Sequence, residues 1–144
     1  MNYKLIFSIG LFMTFINVEA QQISLYGSDG EARAYIDYNK NATVFLWDGT
    51  PVAFVISNRN ELYIIGFNGS FLGWYADGII YDRNGNAIGA RKGATSMVYR
   101  VERVKGVQQV IPVRPVTPII PVKPVFKSFW GNTPLIEFLY YGKK

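Results

Sequence analysis

The sequence contains no cysteine and no histidine among its 144 residues. Without cysteine there is no disulfide, no thiolate nucleophile and no acceptor for a lipid anchor, so stability has to come from packing. Without histidine there is no Ser–His or Cys–His pair, and with both missing the usual transition-metal ligands are gone. Charge is sparse and uneven. Residues 23–92 carry six basic against seven acidic side chains, net −1, whereas residues 93–144 carry eight against two, net +6. The basic character therefore belongs to the C-terminal part, which favours anionic surfaces in general. Paired carboxylates remain open as acid–base chemistry, but Asp29, Asp48, Asp77 and Asp82 adjoin glycine turns, and Glu31, Glu61, Glu102 and Glu137 stand alone, which favours solvated surface. No catalytic residue, cofactor site or metal site is expected, and the glycines lie between strands rather than before a helix that could cradle phosphate.

Long apolar runs are absent too. Leu5–Ile16 falls short of the roughly 20 residues that span a bilayer. It follows Lys4 and precedes Val18-Glu19-Ala20, the pattern of a secretory signal with a small-x-small cleavage site. Residues 1–20 are thus expected to be a signal peptide, Gln21 the mature start, and the product secreted or periplasmic, with no transmembrane segment left and no nucleic acid to meet.

What the sequence has is a recurring turn. Asp29-Gly30, Asp48-Gly49, Asn68-Gly69 and Asn84-Gly85 each lie between runs of apolar and β-branched residues, and the fourth residue after each glycine is small: Ala34, Ala53, Gly73 and Gly89. Asx-Gly so placed signals a hairpin, with a type I′ turn as the expectation. The repeat predicts four hairpins over residues 21–92: Ile23–Ser28 with Glu31–Ile36, Thr43–Trp47 with Thr50–Ile56, Glu61–Phe67 with Ser70–Ala76, and Ile79–Arg83 with Asn86–Lys92. Two-stranded units cannot bury a face alone, so they must pack on one another around a crowded axis that the small residues line. The next residues, Tyr35, Phe54 and Trp74, point to the opposite face. They either pack between neighbours or form an exposed aromatic platform suited to carbohydrate.

The motifs Leu46-Trp47-Asp48-Gly49-Thr50-Pro51-Val52-Ala53, Ile65-Gly66-Phe67-Asn68-Gly69 with Leu72-Gly73-Trp74, and Asp82-Arg83-Asn84-Gly85-Asn86 resemble the 4-fold beta flower domain. That resemblance implies an all-β fold of four hairpins arranged as petals about a pseudo-fourfold axis, and implies no particular activity. Tyr81-Asp82-Arg83-Asn84-Gly85-Asn86 is also similar to the YD repeat of large secreted bacterial proteins, in one copy of the four.

After Lys92 the period becomes three. Val98, Val101, Val104, Val107, Val110, Val113, Val116, Ile119, Val122 and Val125 form one column, and Pro112, Pro115, Pro118, Pro121 and Pro124 a second. Three residues per turn is polyproline II, and the prolines exclude an α-helix. Ser96–Val104, free of proline, reads equally as a ninth strand. A mere spacer needs no β-branched column, so residues 93–125 are expected to dock on the chain's own hairpins, on a second copy or on a partner. In residues 126–144, Phe129, Trp130, Phe138 and Leu139 are expected anchors, and Thr133-Pro134 reads as N-cap and first residue of a short helix ended by Gly142. Asp37, Asn39, Asn41 and Asp48 match a calcium-loop register, but Ala42 replaces its glycine and the following residues read as strand, which favours a plain turn. The function expected is a non-enzymatic exported interaction module binding protein or itself. Carbohydrate binding or structural self-assembly are the alternatives.

Overall fold

The computed structural model describes residues 21–144, so the expected signal peptide lies outside the described residues. Eight antiparallel strands run in chain order: β1 (Gln22–Tyr26), β2 (Ala32–Asp37), β3 (Thr43–Leu46), β4 (Pro51–Asn58), β5 (Glu61–Gly66), β6 (Phe71–Ala76), β7 (Ile79–Tyr81) and β8 (Ala87–Arg91). They close into a barrel in which each strand pairs with its sequence neighbours. The closing seam, β1 on β8, is brief: Leu25 opposite Arg91 and Tyr26 opposite Ala90. Closure leaves no edge for a ninth strand, and Ser96–Val104 forms none. Pro51, which cannot donate to a ladder, begins β4.

The four turns share one geometry, and it differs from type I′. Gly30, Gly49, Gly69 and Gly85 have φ of +79°, +96°, +89° and +84°, while the Asx residues before them do not take positive φ. In the second turn Gly49 N–H donates to the Leu46 carbonyl and Leu46 N–H to that of Thr50. This is a type I turn closed by a glycine bulge, the three-residue hairpin loop. The preceding Asx supports it: Asp29, Asp48 and Asn68 each accept, through Oδ1, the backbone N–H two residues on. In the fourth turn Asp82 does this work for Asn84 and Asn86.

A second irregularity recurs beside each turn. Val44 pairs with Ala53 and Phe45 with Pro51, leaving Val52 as an extra residue; Arg33, Leu72 and Ile88 are left over in the same way. Each bulge precedes the small residue of its petal. Val52, Leu72 and Ile88 thereby join Leu25, Ala34, Ile36, Val44, Ala53, Ile64 and Ile80 in the barrel core.

The small residues make room for the C-terminus. Helix α1 (Leu135–Tyr140) plugs the turn end of the barrel, with Leu135 and Leu139 buried in the core and Phe138 packed against it. A Cβ added at Gly89 would lie 2.8 Å from Leu135 Cδ1, and one at Gly73 would lie 3.3 Å from Phe138 Cζ and collide with the Tyr81 carbonyl. So short a helix holds no structure alone; the barrel mouth holds it. Pro134, with extended φ and ψ, is its N-cap rather than its first residue, and Thr133 supplies no side-chain cap. The other end of the segment is pinned by the third turn, where Asn68 N–H donates to the Gly142 carbonyl and Asn68 Nδ2 to that of Tyr141.

Candidate interaction surface

Between Gly93 and α1 the chain lies against the outside of the barrel as a belt, extended and without helix or strand up to Lys127. It meets the petals in order. A Cβ placed on Gly30 would strike the Val98 carbonyl, one on Gly49 that of Val107, and one on Gly85 that of Val125; at Gly69 the nearest belt atom is Pro115 Cβ. Arg100 N–H donates to the Gly30 carbonyl, Gln109 N–H to that of Gly49, and Lys127 N–H to that of Gly85. These contacts recur every nine residues, or every eighteen where one petal is passed over. Nine residues are three turns of a three-residue helix and span about 28 Å. The same column therefore returns at Gly30, Gly49 and Gly85. The position corresponding to Arg100, Gln109 and Lys127 at the third petal is Pro118, which has no N–H to give, and among the described residues the Gly69 carbonyl receives no backbone N–H.

One column of the belt rests on the barrel's aromatic outer face. Tyr99 meets Tyr26 edge to face at 4.9 Å. Lys105 Nζ lies 4.7 Å from the Tyr35 ring centre and 5.0 Å from that of Trp47. Gln108 Nε2 donates to the Tyr35 hydroxyl and, at 2.8 Å, to the Asp37 carboxylate. The Arg114 guanidinium lies 4.3 Å from the Phe54 ring centre and also donates to the Asn41 carbonyl. Phe126 approaches Trp74 at 6.0 Å. Lys123 pairs with Glu61 at 2.9 Å, and that contact first of all holds the Glu61 carboxyl below its ordinary range. Burial between belt and barrel lowers the Arg114 pKa and raises that of Tyr35. Cations over ring faces combine ring contact with charge, and desolvation strengthens the attraction.

The valine column faces the other way. All ten of its side chains, Val98 to Val125, are 82–95% exposed. Docking on the chain's own hairpins is thus the work of its two companion columns, and the apolar stripe is left in solvent. The residues that reach the barrel, such as Lys105, Arg114 and Lys123, are chemically mixed and give no hydrophobic pattern. Their nine-residue spacing is the signal that could have disclosed them.

Tyr35, Phe54 and Trp74 are buried beneath the belt, so they present no free ring face to a sugar and the platform reading does not hold. Trp74 Nε1 is buried without an acceptor among the described residues. Of the expected anchors, Leu139 is buried, Phe138 and Trp130 are half-buried, and Phe129 is 60% exposed. Trp130 joins Ala87 in an isolated bridge, and Leu135 takes the second core position of the plug. Asp37 caps the short helical turn Tyr38–Lys40 and Asp48 serves its hairpin turn. Among the described residues no three acidic side chains cluster as metal ligands would. A cleft of about 550 Å³ opens where the belt leaves the seam, but its carboxylate and tyrosine hydroxyls are engaged: Glu102 accepts from the Ser24 and Tyr26 hydroxyls, and the Tyr99 hydroxyl donates to the Thr95 carbonyl.

A family model described as 4-fold beta flower protein matches residues 23–139, which takes in barrel, belt and most of the plug. No curated protein and no solved structure gives a match.

Proposed function

Because the chain belongs to the 4-fold beta flower family, we propose that it is a non-enzymatic exported interaction module, in which the petals are a scaffold and the outward face of the belt is the working surface. The observation that carries this reading is the stripe of ten exposed Val and Ile side chains. Monomers seldom expose contiguous apolar patches beyond a few hundred Å², and larger ones mark interaction sites. Fully burying one such side chain is worth about 1.5–3 kcal/mol at ~25 cal/mol per Å², or roughly 60–120 Å² each, so ten present about 600–1,200 Å². That matches the roughly 800 Å² each partner contributes to a specific interface. The rest of the belt follows from the same reading, since prolines and cation–ring contacts hold the stripe in one conformation before any partner arrives, which lowers the entropic cost of association. Absence of His and Cys and the engagement of Asp29, Asp48 and Asp82 in turns support a role without catalysis. The signal-like sequence of residues 1–20 supports export.

The test is capture from an envelope extract by immobilised protein, comparing the parent with a variant carrying Val101→Gln, Val104→Gln, Val110→Gln and Val113→Gln. These side chains touch solvent, so both proteins should melt alike while the variant recovers less. Equal recoveries would remove the stripe as the working surface.

A further inference from the structure

Resting on that reading of the belt, we infer that the occupant of the stripe is the same stripe on further copies of this chain. Three features of the surface select it.

The first is uniformity. Surfaces that recognise an unlike partner concentrate their energy in a few Trp, Tyr or Arg anchors seated in pockets. The stripe has none: every position from Val98 to Val125 in its column is Val or Ile. Side chains of nearly one size, repeating about every 9 Å along a three-residue helix, leave gaps that a row of the same spacing fills. A like row is the complement that needs no further design, and two-fold pairing of identical surfaces is the commonest mode of association.

The second is the backbone. From Val110 to Phe126 the belt makes no backbone hydrogen bond to the barrel among the described residues, and five of these positions are proline. Proline at every third position removes a third of the donors an edge strand would use, which disfavours strand pairing. Nor does it suit the hydrocarbon of a membrane, where its unpaired carbonyls would go unsatisfied. Contact has to be made by side chains, and in water.

The third is curvature. The belt passes all four petals in turn, so its stripe bends around the barrel, and one rigid copy can touch only part of it. The uncovered part remains available to another copy. Association should therefore form an open series, with each contact weak alone and strengthened by the others. Arg103 and Lys127, exposed on the belt, oppose close approach of like copies. Salt that screens them should strengthen self-association, whereas it would weaken binding to a polyanion or an anionic vesicle.

Sedimentation velocity of the purified protein over a wide concentration range, at low and high salt, tests this beside the four-site Gln variant. The expected result is a concentration-dependent series in the parent, favoured by salt, with the association constant lowered about tenfold or more in the variant and an unchanged melting temperature. A monomer at every concentration and salt, or a variant that associates like the parent, would overturn the inference. Stripe-dependent capture from extract by a strictly monomeric protein would show that only the occupant is wrong. Loss of both would take the interaction surface with it.

Discussion

Tyr81 on β7 and Phe126 near the end of the belt stack face to face, ring centres 4.1 Å apart and planes 1° from parallel. Phe126 also meets Trp74, so one side chain fastens the belt across two adjacent strands of the third and fourth petals. Phe126→Ala should lower stability by about 2 kcal/mol, roughly half the cost of deleting a fully buried Phe. The Pro-rich half of the belt should become open to proteolysis while the barrel stays intact. Unchanged cleavage would show that the ring stack does not hold the belt.

The turn glycines separate backbone strain from belt contact. Gly49→Ala forces a side chain into positive φ and into the Val107 carbonyl, whereas Gly69→Ala meets only Pro115 Cβ at 3.8 Å. The second should cost about 1 kcal/mol from strain alone, and the first distinctly more. Denaturant melts of the two variants measure the difference; equal costs would mean the belt does not bear on the second turn.

Leu139→Ala should cost about 2–4 kcal/mol, because it empties a fully buried position at the barrel mouth. Gly73→Ala should also be severe although its φ is ordinary, since the added Cβ runs into the Tyr81 carbonyl. Gly89→Ala should be milder, as the neighbour there is the flexible end of Leu135. Calorimetry on the three variants gives the ranking.

Asn68 has two jobs, accepting from Ser70 through Oδ1 and donating from Nδ2 to the Tyr141 carbonyl at 2.7 Å. Asn68→Asp keeps the turn and loses the donor. It should cost about 1 kcal/mol and speed hydrogen exchange in residues 139–142 without disturbing exchange in β5 and β6.

Burial pushes the Tyr75 hydroxyl up to about 12, with Tyr38 adding to the rise and Arg91 opposing it. A pKa raised on folding means that the folded state keeps the proton longer than the unfolded one. The resulting stability is complete below about pH 10 and is lost as pH climbs from there towards 12, about 2–3 kcal/mol in all. Tyr75→Phe should flatten that part of the alkaline melting profile. An unaltered profile would place the alkaline loss elsewhere.

The petals were legible because their signals are local: an Asx-Gly pair and a small residue four positions on. The turn type was not, since Asp48-Gly49 reads alike in a two-residue loop and at the end of a three-residue one; only the pairing of Leu46 with Thr50 distinguishes them. The belt was legible as a period and opaque as a direction. Valine at every third position announces a stripe, and hydrophobicity alone would turn that stripe inward. The barrel's outer face is instead lined with rings such as Tyr35, Phe54 and Tyr81, on which Lys105, Arg114 and Phe126 find ring-face partners. Which column wins depends on a surface distant in sequence.

The step of nine residues per petal also makes the belt sensitive to frame. Deleting one residue near Val110 would rotate everything downstream by a third of a turn, bringing prolines onto the rings and sending Arg114 and Phe126 outward. Deleting three would restore the facing of each column yet leave every downstream contact a third of a petal out of step. Nine is the smallest change that preserves both, so a chain of this design can lengthen or shorten only by whole petals, each matched by nine residues of belt.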